Sequence, residues 1–161
     1  MSARIMTGSA GLNVTDLTRS IDFYTTALGF EVVRRSPEGA EPWAHLGLGT
    51  AVLLTLWQQA LHGFEGADAG LHHLSFEVAS LDELAALEGR VRAAGVRLRE
   101  DAQGLAKPSD SGQFFFHDPD GIRLELYTEQ PAPKPAPAGP LPACGFYDEL
   151  PAGRSDPARG I

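Results

Sequence analysis

The sequence predicts an α+β protein in which two tandem βαβββ modules form a cup-shaped mixed sheet with helices on its outer face. Three observations predict it. Apolar residues alternate at period two in short segments and recur at period 3.6 in two longer ones, the signatures of strands and helices. The same order of elements occurs twice. Landmarks of the two copies keep an offset of roughly 64 to 70 residues throughout, the mark of an internal duplication.

The elements follow in order. Ile5 to Val14 reads as a strand, and Asp16 as the N-cap of a helix whose inner face is Leu17, Ile21, Tyr24 and Leu28. Gly29 supplies the backbone freedom to end that helix. Phe30 to Arg35 is a strand, Ser36 to Pro42 a turn, and Trp43 to Leu46 with Ala51 to Trp57 a hairpin bent at GLGT. The second copy opens with His72 to Val78. Ser80 and Glu83 make a capping box, Leu81, Leu84, Leu87 and Val91 form the helix face, and Gly95 closes it. Strands follow at Val96 to Arg99, Gln113 to His117 and Ile122 to Thr128, the last two joined by the DPDG turn, Asp118 to Gly121. Residues 1–60 are therefore the first module, 61–70 a connection, 71–130 the second module and 131–161 a proline-rich tail.

Composition narrows the function classes. With 43% hydrophobic and 21% charged residues the chain has the mixture of a water-soluble domain. A net charge of -8 with no cluster of Lys or Arg excludes a nucleic-acid partner, because phosphate binding draws on clustered cations. No run of eighteen apolar residues occurs, so no membrane partner is expected, and the opening segment lacks the apolar stretch of a secretory signal. Cys144 is the single cysteine, which excludes an intrachain disulfide and a thiolate-rich zinc site. A cytoplasmic location is expected. In the tail, PAPKPAPAGPLPA predicts an extended segment. The apolar residues of CGFYDEL leave two readings open, a disordered end or a lid docked through Phe146 and Tyr147.

Strand parity then selects the side chains facing the cup, since successive side chains point to opposite faces. Leu74, Phe76 and Val78 face the helices, which leaves His73, Ser75 and Glu77 on the other side. Ile122, Leu124 and Leu126 likewise leave Arg123, Glu125 and Tyr127. A histidine and a carboxylate thus share the cup face, a donor set that suits Fe, Zn, Ni or Mn. The first module offers Ser9, Gly11 and Asn13, with Leu53, Thr55 and Trp57 on its closing strand. Trp43 and His45 face the cup from the hairpin, and His45 is a candidate helper to the metal pair. Trp43, Leu53, Thr55, Trp57, Phe115 and Tyr127 are the candidate ligand wall for a small aromatic or otherwise flat molecule. Arg123 is a candidate partner for an anionic group on it. His72 has the opposite parity and is expected to pack or lie partly exposed; His117 falls at the rim and His62 in solvent.

The segments VTDLTRSIDFYTTALGF, GLHHLSFEVASLDEL and FFFHDPDGIRLELY resemble the vicinal-oxygen-chelate superfamily, which embraces glyoxalase I, fosfomycin-modifying enzymes, bleomycin-binding proteins and type I extradiol dioxygenases. The likeness covers roughly residues 5 to 130. In metal-dependent members the first strand of each module supplies a histidine and the closing strand a glutamate. The resemblance assigns these roles to His73 and Glu125, with Ser9 and Thr55 at the equivalent first-module positions. Phe115 stands where the dioxygenases carry a catalytic tyrosine, and the loop at Ala106 and Lys107 lacks their acid/base histidine. A homodimer is implied, because members complete or cover their sites across subunits. Two functions stay open: a metal-dependent lyase or dioxygenase-like enzyme holding a divalent ion, and a metal-free binding or sequestration protein of the bleomycin-resistance type.

Overall fold

The computed structural model describes residues 8–98 and 112–130. The expected strand residues 5–7 and Arg99, the loop at Ala106 and Lys107, and the tail with Cys144, Phe146 and Tyr147 lie outside the described residues. Among the described residues seven strands form two mixed sheets. In the first, β1 (Ala10–Asn13) runs parallel to β4 (Ala51–Trp57), which pairs antiparallel with β3 (Trp43–Leu48) and through it with β2 (Glu31–Arg35). In the second, β5 (Leu74–Glu77) runs parallel to β7 (Arg123–Tyr127), and β6 (Gln113–His117) pairs antiparallel on its other side. Each module thus joins its first strand to its last in parallel, a pairing that needs the intervening helix as a crossover.

The helices start where their caps dictate. Asp16 accepts the Arg19 amide at 3.0 Å and opens α1 (Leu17–Phe23), which continues into a π-helical turn, Tyr24–Leu28. Gly29, at φ 77°, ends it in the left-handed region that glycine adopts without strain. Ser80 accepts the Glu83 amide at 3.1 Å, and the Glu83 carboxylate reaches back to the Ala79 amide at 3.1 Å, fixing the start of α2 (Leu81–Ala93). Acidic Asp82 and Glu83 in its first turn and basic Arg90 and Arg92 in its last complement the helix dipole. Arg90 also donates to the Thr26 carbonyl at 3.1 Å, so the second helix caps the end of the first module's helix.

The expected strand bounds need correction: β1 begins at Ala10 and β5 at Leu74, which leaves Ser9, His72 and His73 ahead of the ladders. Val96 to Leu98 carry no ladder, and the second sheet has three strands among the described residues. Leu98 is nevertheless buried and Val96 packs on the core. The alternation that suggested a strand reports burial, which an unpaired segment achieves equally well. The hairpin also extends past its expected end to Leu48, with a bulge after Leu46. Gly47 permits the bulge, since a Cβ there would collide with the Ala51 carbonyl.

A single hydrophobic cluster spans both sheets and both helices. Aromatic rings bridge the modules: Tyr24 stacks on Phe30 with centroids 6.3 Å apart, and Phe30 meets Phe76 edge-on at 5.3 Å. Leu12, Ala44, Leu46, Leu54 and Leu56 point into this core from the first sheet, and Phe114, Phe116, Leu124 and Leu126 from the second. The opposite faces are left to carry the polar and aromatic residues.

Candidate functional site

The two ladders superpose residue by residue. Gly11 pairs with Thr55 and Thr55 with His45, whereas Ser75 pairs with Glu125 and Glu125 with Phe115. Two residues before Gly11 and Ser75 stand Ser9 and His73, both ahead of the first laddered residues Ala10 and Leu74. His45 is the counterpart of Phe115, and Thr55 of Glu125.

On the second sheet the open-face residues converge. His73 Nε2 lies 3.3 Å from Glu125 Oε2, with side-chain exposures of 18% and 8%, so the pair is largely withdrawn from water. The Ser75 hydroxyl donates to the same carboxylate oxygen in a short hydrogen bond. Phe115 sets its ring edge-to-face against the His73 imidazole at 6.2 Å. His72 and His73 approach through their Nδ1 atoms at 2.7 Å. That contact departs from simple parity, because both residues precede the first laddered residue, Leu74, and the pleat that separates neighbours does not yet operate.

On the first sheet the equivalent face is hydroxyl-bearing and aromatic. His45 Nδ1 lies 2.9 Å from Thr55 Oγ1. Trp43 packs on His45 at 4.7 Å and on Trp57 at 6.1 Å, and the Arg34 guanidinium lies 6.0 Å from the Trp43 ring centroid. Ser9 is exposed. Among the described residues no three His, Cys, Asp or Glu side chains gather into a metal cage, and His45 keeps company with Thr55.

The remaining candidates Leu53, Tyr127 and Arg123 differ in burial. Leu53 is half-buried and, with Leu48, lines a cavity of about 270 Å³ that also touches Ser75, Phe76 and Glu77. Tyr127 is half-exposed, and its hydroxyl is held above the ordinary phenol range by desolvation and by the Glu77, Glu129 and Glu125 carboxylates. Arg123 is buried, its guanidinium packed against Gly66 of the connection, where a Cβ would meet it. His117 is exposed at the end of β6, and His62 is exposed with Nδ1 3.1 Å from the Gly63 carbonyl.

A second polar cluster escaped the sequence reading, which saw DPDG only as a turn. Asp118 accepts the amides of Asp120 at 2.9 Å and Ile122 at 2.8 Å, and also the Tyr24 hydroxyl at 2.9 Å. Asp120 accepts the Thr15 hydroxyl at 2.5 Å, the Thr15 amide at 3.2 Å and Arg19 Nη2 at 2.7 Å. The turn of the second module is thereby tied to the helix entry of the first. Burial holds Asp118 above the usual carboxylate range, and burial together with the Asp118 carboxylate holds the Tyr24 hydroxyl well above the usual phenol range. The available signal was Tyr24 itself, because a tyrosine on an inward helix face needs a partner for its hydroxyl.

Comparison with known proteins agrees with this architecture. The chain is 33% identical over 127 residues to lactoylglutathione lyase of Escherichia coli, covering 75% of this chain and 90% of that one. It is 29% identical over 126 residues to catechol-2,3-dioxygenase of Bacillus subtilis, covering 77% of this chain but spanning only 41% of that enzyme's length. A glyoxylase/bleomycin resistance protein/dioxygenase domain from Frankia superposes with a TM-score of 0.64 at 27% identity, over 78% of this chain and 93% of that one. FosX from Listeria monocytogenes, in a complex with Mn(II) and a dihydroxypropylphosphonic acid, superposes with a TM-score of 0.60 at 17% identity, over 78% and 93%, and shares the fold. Residues 6–126 match the family model itself, and the chain belongs to the Glyoxalase/Bleomycin resistance protein/Dioxygenase superfamily.

Proposed function

We propose that the protein is a metal-dependent enzyme of this superfamily, in which His73 and Glu125 hold a divalent ion, Fe, Zn, Ni or Mn, against vicinal oxygens of a small, flat substrate. The observation that carries this reading is the 3.3 Å separation of His73 Nε2 and Glu125 Oε2 on an open sheet face. Two donors bound to one ion at about 2.1 Å stand roughly 3.0 to 3.4 Å apart at octahedral or tetrahedral angles. The pair therefore fits a shared cation, and imidazole with carboxylate suits these metals.

A bound ion supplies Lewis-acid polarisation of the substrate oxygens. The chain's own residues do the rest. Ser75 donates to Glu125 and fixes the rotation of its carboxylate. Phe115 restrains the His73 ring and gives a flat apolar wall beside it. The cavity at Leu53 reaches Ser75 but is lined mainly by core residues such as Phe30, Phe76 and Leu126, so it stands apart from the His73 and Glu125 pair. Trp43, Thr55, Trp57 and Tyr127 complete the ligand wall in this reading, with the Tyr127 hydroxyl held above the ordinary phenol range by desolvation and by its carboxylate neighbours. The names of the lyase and dioxygenase relatives support an enzyme.

The working unit in this reading is a cytoplasmic homodimer. Val32, Val33, Leu48 and Trp57 leave apolar surface exposed on the first sheet, which a second copy would cover. One observation favours the other reading, a metal-free binding protein: Ser9 and Thr55 replace imidazole and carboxylate on the first module. Metal analysis of protein purified without chelator, repeated on His73→Ala and Glu125→Ala, separates the two. Stoichiometric metal lost in both variants is the result expected of the enzyme. Native protein that neither retains nor takes up Mn(II), Fe(II), Ni(II) or Zn(II) would establish the binder.

A further inference from the structure

The face of the first sheet that turns away from the core carries a cation and two large rings in adjoining rows. Arg34 and His45 are register partners, and Thr55 stands on the other side of His45. Trp43 and Trp57 form the next pair along that face. The Arg34 guanidinium lies 6.0 Å from the centroid of the Trp43 ring, and the two indoles lie 6.1 Å apart with their planes inclined by 41°. That inclination keeps them from stacking fully on each other, which leaves indole surface for a third ring. Trp57 is 36% exposed and Trp43 half-buried. The platform is held from within the sheet: buried Thr55 meets His45 Nδ1 at 2.9 Å, and His45 packs on Trp43 at 4.7 Å. The charge beside it is uncompensated. Arg19 pairs with Asp120 and Arg92 with Glu88, whereas among the described residues Arg34 has no carboxylate within ion-pair distance and no hydrogen-bonded acceptor. In a chain of net charge -8, a guanidinium left facing exposed indoles is matched to an anion from outside.

We infer that Arg34, Trp43 and Trp57 form a binding site for a flat aromatic carboxylate, whose ring lies on the indoles and whose carboxylate takes the Arg34 guanidinium. The inference names a substrate class for the ligand wall proposed above and rests on that reading of this face, but it needs no ion at His73 and Glu125. Arg supplies both halves of the recognition, since its planar fork pairs with a carboxylate through two N–H donors and its cation tolerates an aromatic neighbour. A second copy of the chain is the competing occupant of Trp57. A symmetric contact centred on the tryptophans would draw the Arg34 guanidinia of both copies under cover, and removing a charge from water without a partner is costly. A small aromatic anion removes that cost and covers the same rings.

Trp43 and Trp57 are the two tryptophans of the chain, so their indole N–H signals in proton–nitrogen NMR report this face alone. The full chain, with chelator present, is titrated with naphthoate, with the neutral isostere naphthamide, and with cyclohexanecarboxylate, which keeps the charge and loses the flat ring. Naphthoate should move both indole signals saturably, and the other two compounds should bind about 5- to 10-fold more weakly, the difference expected of one partly solvated charged pair or one ring contact. Arg34→Gln, at an exposed position, should weaken naphthoate by about the same 5- to 10-fold and leave naphthamide unchanged. Trp57→Leu should weaken naphthoate and naphthamide alike. Indole signals that stay fixed up to millimolar naphthoate overturn the inference, and so do signals that follow protein concentration instead, which give the face to a second copy. Naphthoate and naphthamide bound equally, with Arg34→Gln changing neither, overturn the role of Arg34 while the ligand wall stands. If no flat compound moves the indoles, the ligand wall on this face falls as well. None of these results touches the ion proposed at His73 and Glu125, which metal analysis reads separately.

Discussion

The first sheet and the second repeat one ladder, and their two faces have diverged to different degrees. On the core side Ala10 corresponds to Leu74, Leu12 to Phe76, Leu46 to Phe116, Leu54 to Leu124 and Leu56 to Leu126, apolar for apolar. On the other side Ser9 corresponds to His73, His45 to Phe115 and Thr55 to Glu125, and none of these three keeps its chemistry, whereas Trp57 and its counterpart Tyr127 are both aromatic. Close packing explains the first pattern, because a core position tolerates changes of shape but not of polarity. The other face pairs polar groups with polar partners even where it is buried, as at Thr55 and Glu125, so the two modules can differ there in chemistry.

The sharpest way to break this comparison is to remove equivalent residues from both faces. Glu125→Ala should weaken Co(II) binding by more than about 100-fold, beyond the range typical of outer contacts, because it deletes one of two proposed ligands. Thr55→Ala, at the twin position, should change it only slightly, and chelator competition on both variants measures the contrast. Equal losses at the two positions would mean that the sheets contribute alike, and the asymmetry would have no functional content.

The next effect concerns what joins the modules. Asp120 holds the Thr15 hydroxyl and amide as well as the half-exposed Arg19 guanidinium. Asp120→Ala strands those first-module donors, at an expected cost of about 1 to 3 kcal/mol in urea unfolding. Arg19 contributes little of this, since its charge is largely in water. A variant as stable as the native chain would show that the aromatic bridge of Tyr24, Phe30 and Phe76 joins the modules unaided.

How much of this was legible in the sequence follows from the same division of faces. Leu54 and Leu56, like Leu124 and Leu126, advertise a packed face, and strand parity then places Glu125 and Thr55 on the other one without any structure. His73 followed by the same count. The contact between His72 and His73 was hidden, because it depends on where β5 begins to pair. Val96 to Leu98 misled because burial and pairing write the same alternation. Asp118 and Asp120 read as turn residues, which they are. Their second partners, Tyr24 and Thr15, lie about a hundred positions away and leave no mark on the local pattern.

The smallest expected effect is a pH dependence at that junction. The Tyr24 hydroxyl is buried against Asp118 and its pKa lies well above 10.0, the ordinary value it regains on unfolding. Above about pH 10 the unfolded chain therefore loses a proton that the folded one keeps, and folding stability falls as pH rises. One such proton contributes a slope of up to about 1.4 kcal/mol per pH unit. Below that pH the contribution is fully present, so the folded protein should hold its stability through neutrality on this account. Tyr24→Phe removes the titration along with the hydrogen bond. The stability gap between native protein and variant, read from urea midpoints, should then stay level from about pH 7 to 9 and narrow by about 1 kcal/mol by pH 11. A gap constant to pH 11 would mean that Tyr24 ionises as readily folded as unfolded, and that the buried bond to Asp118 is not what ties the first helix to the second module's turn.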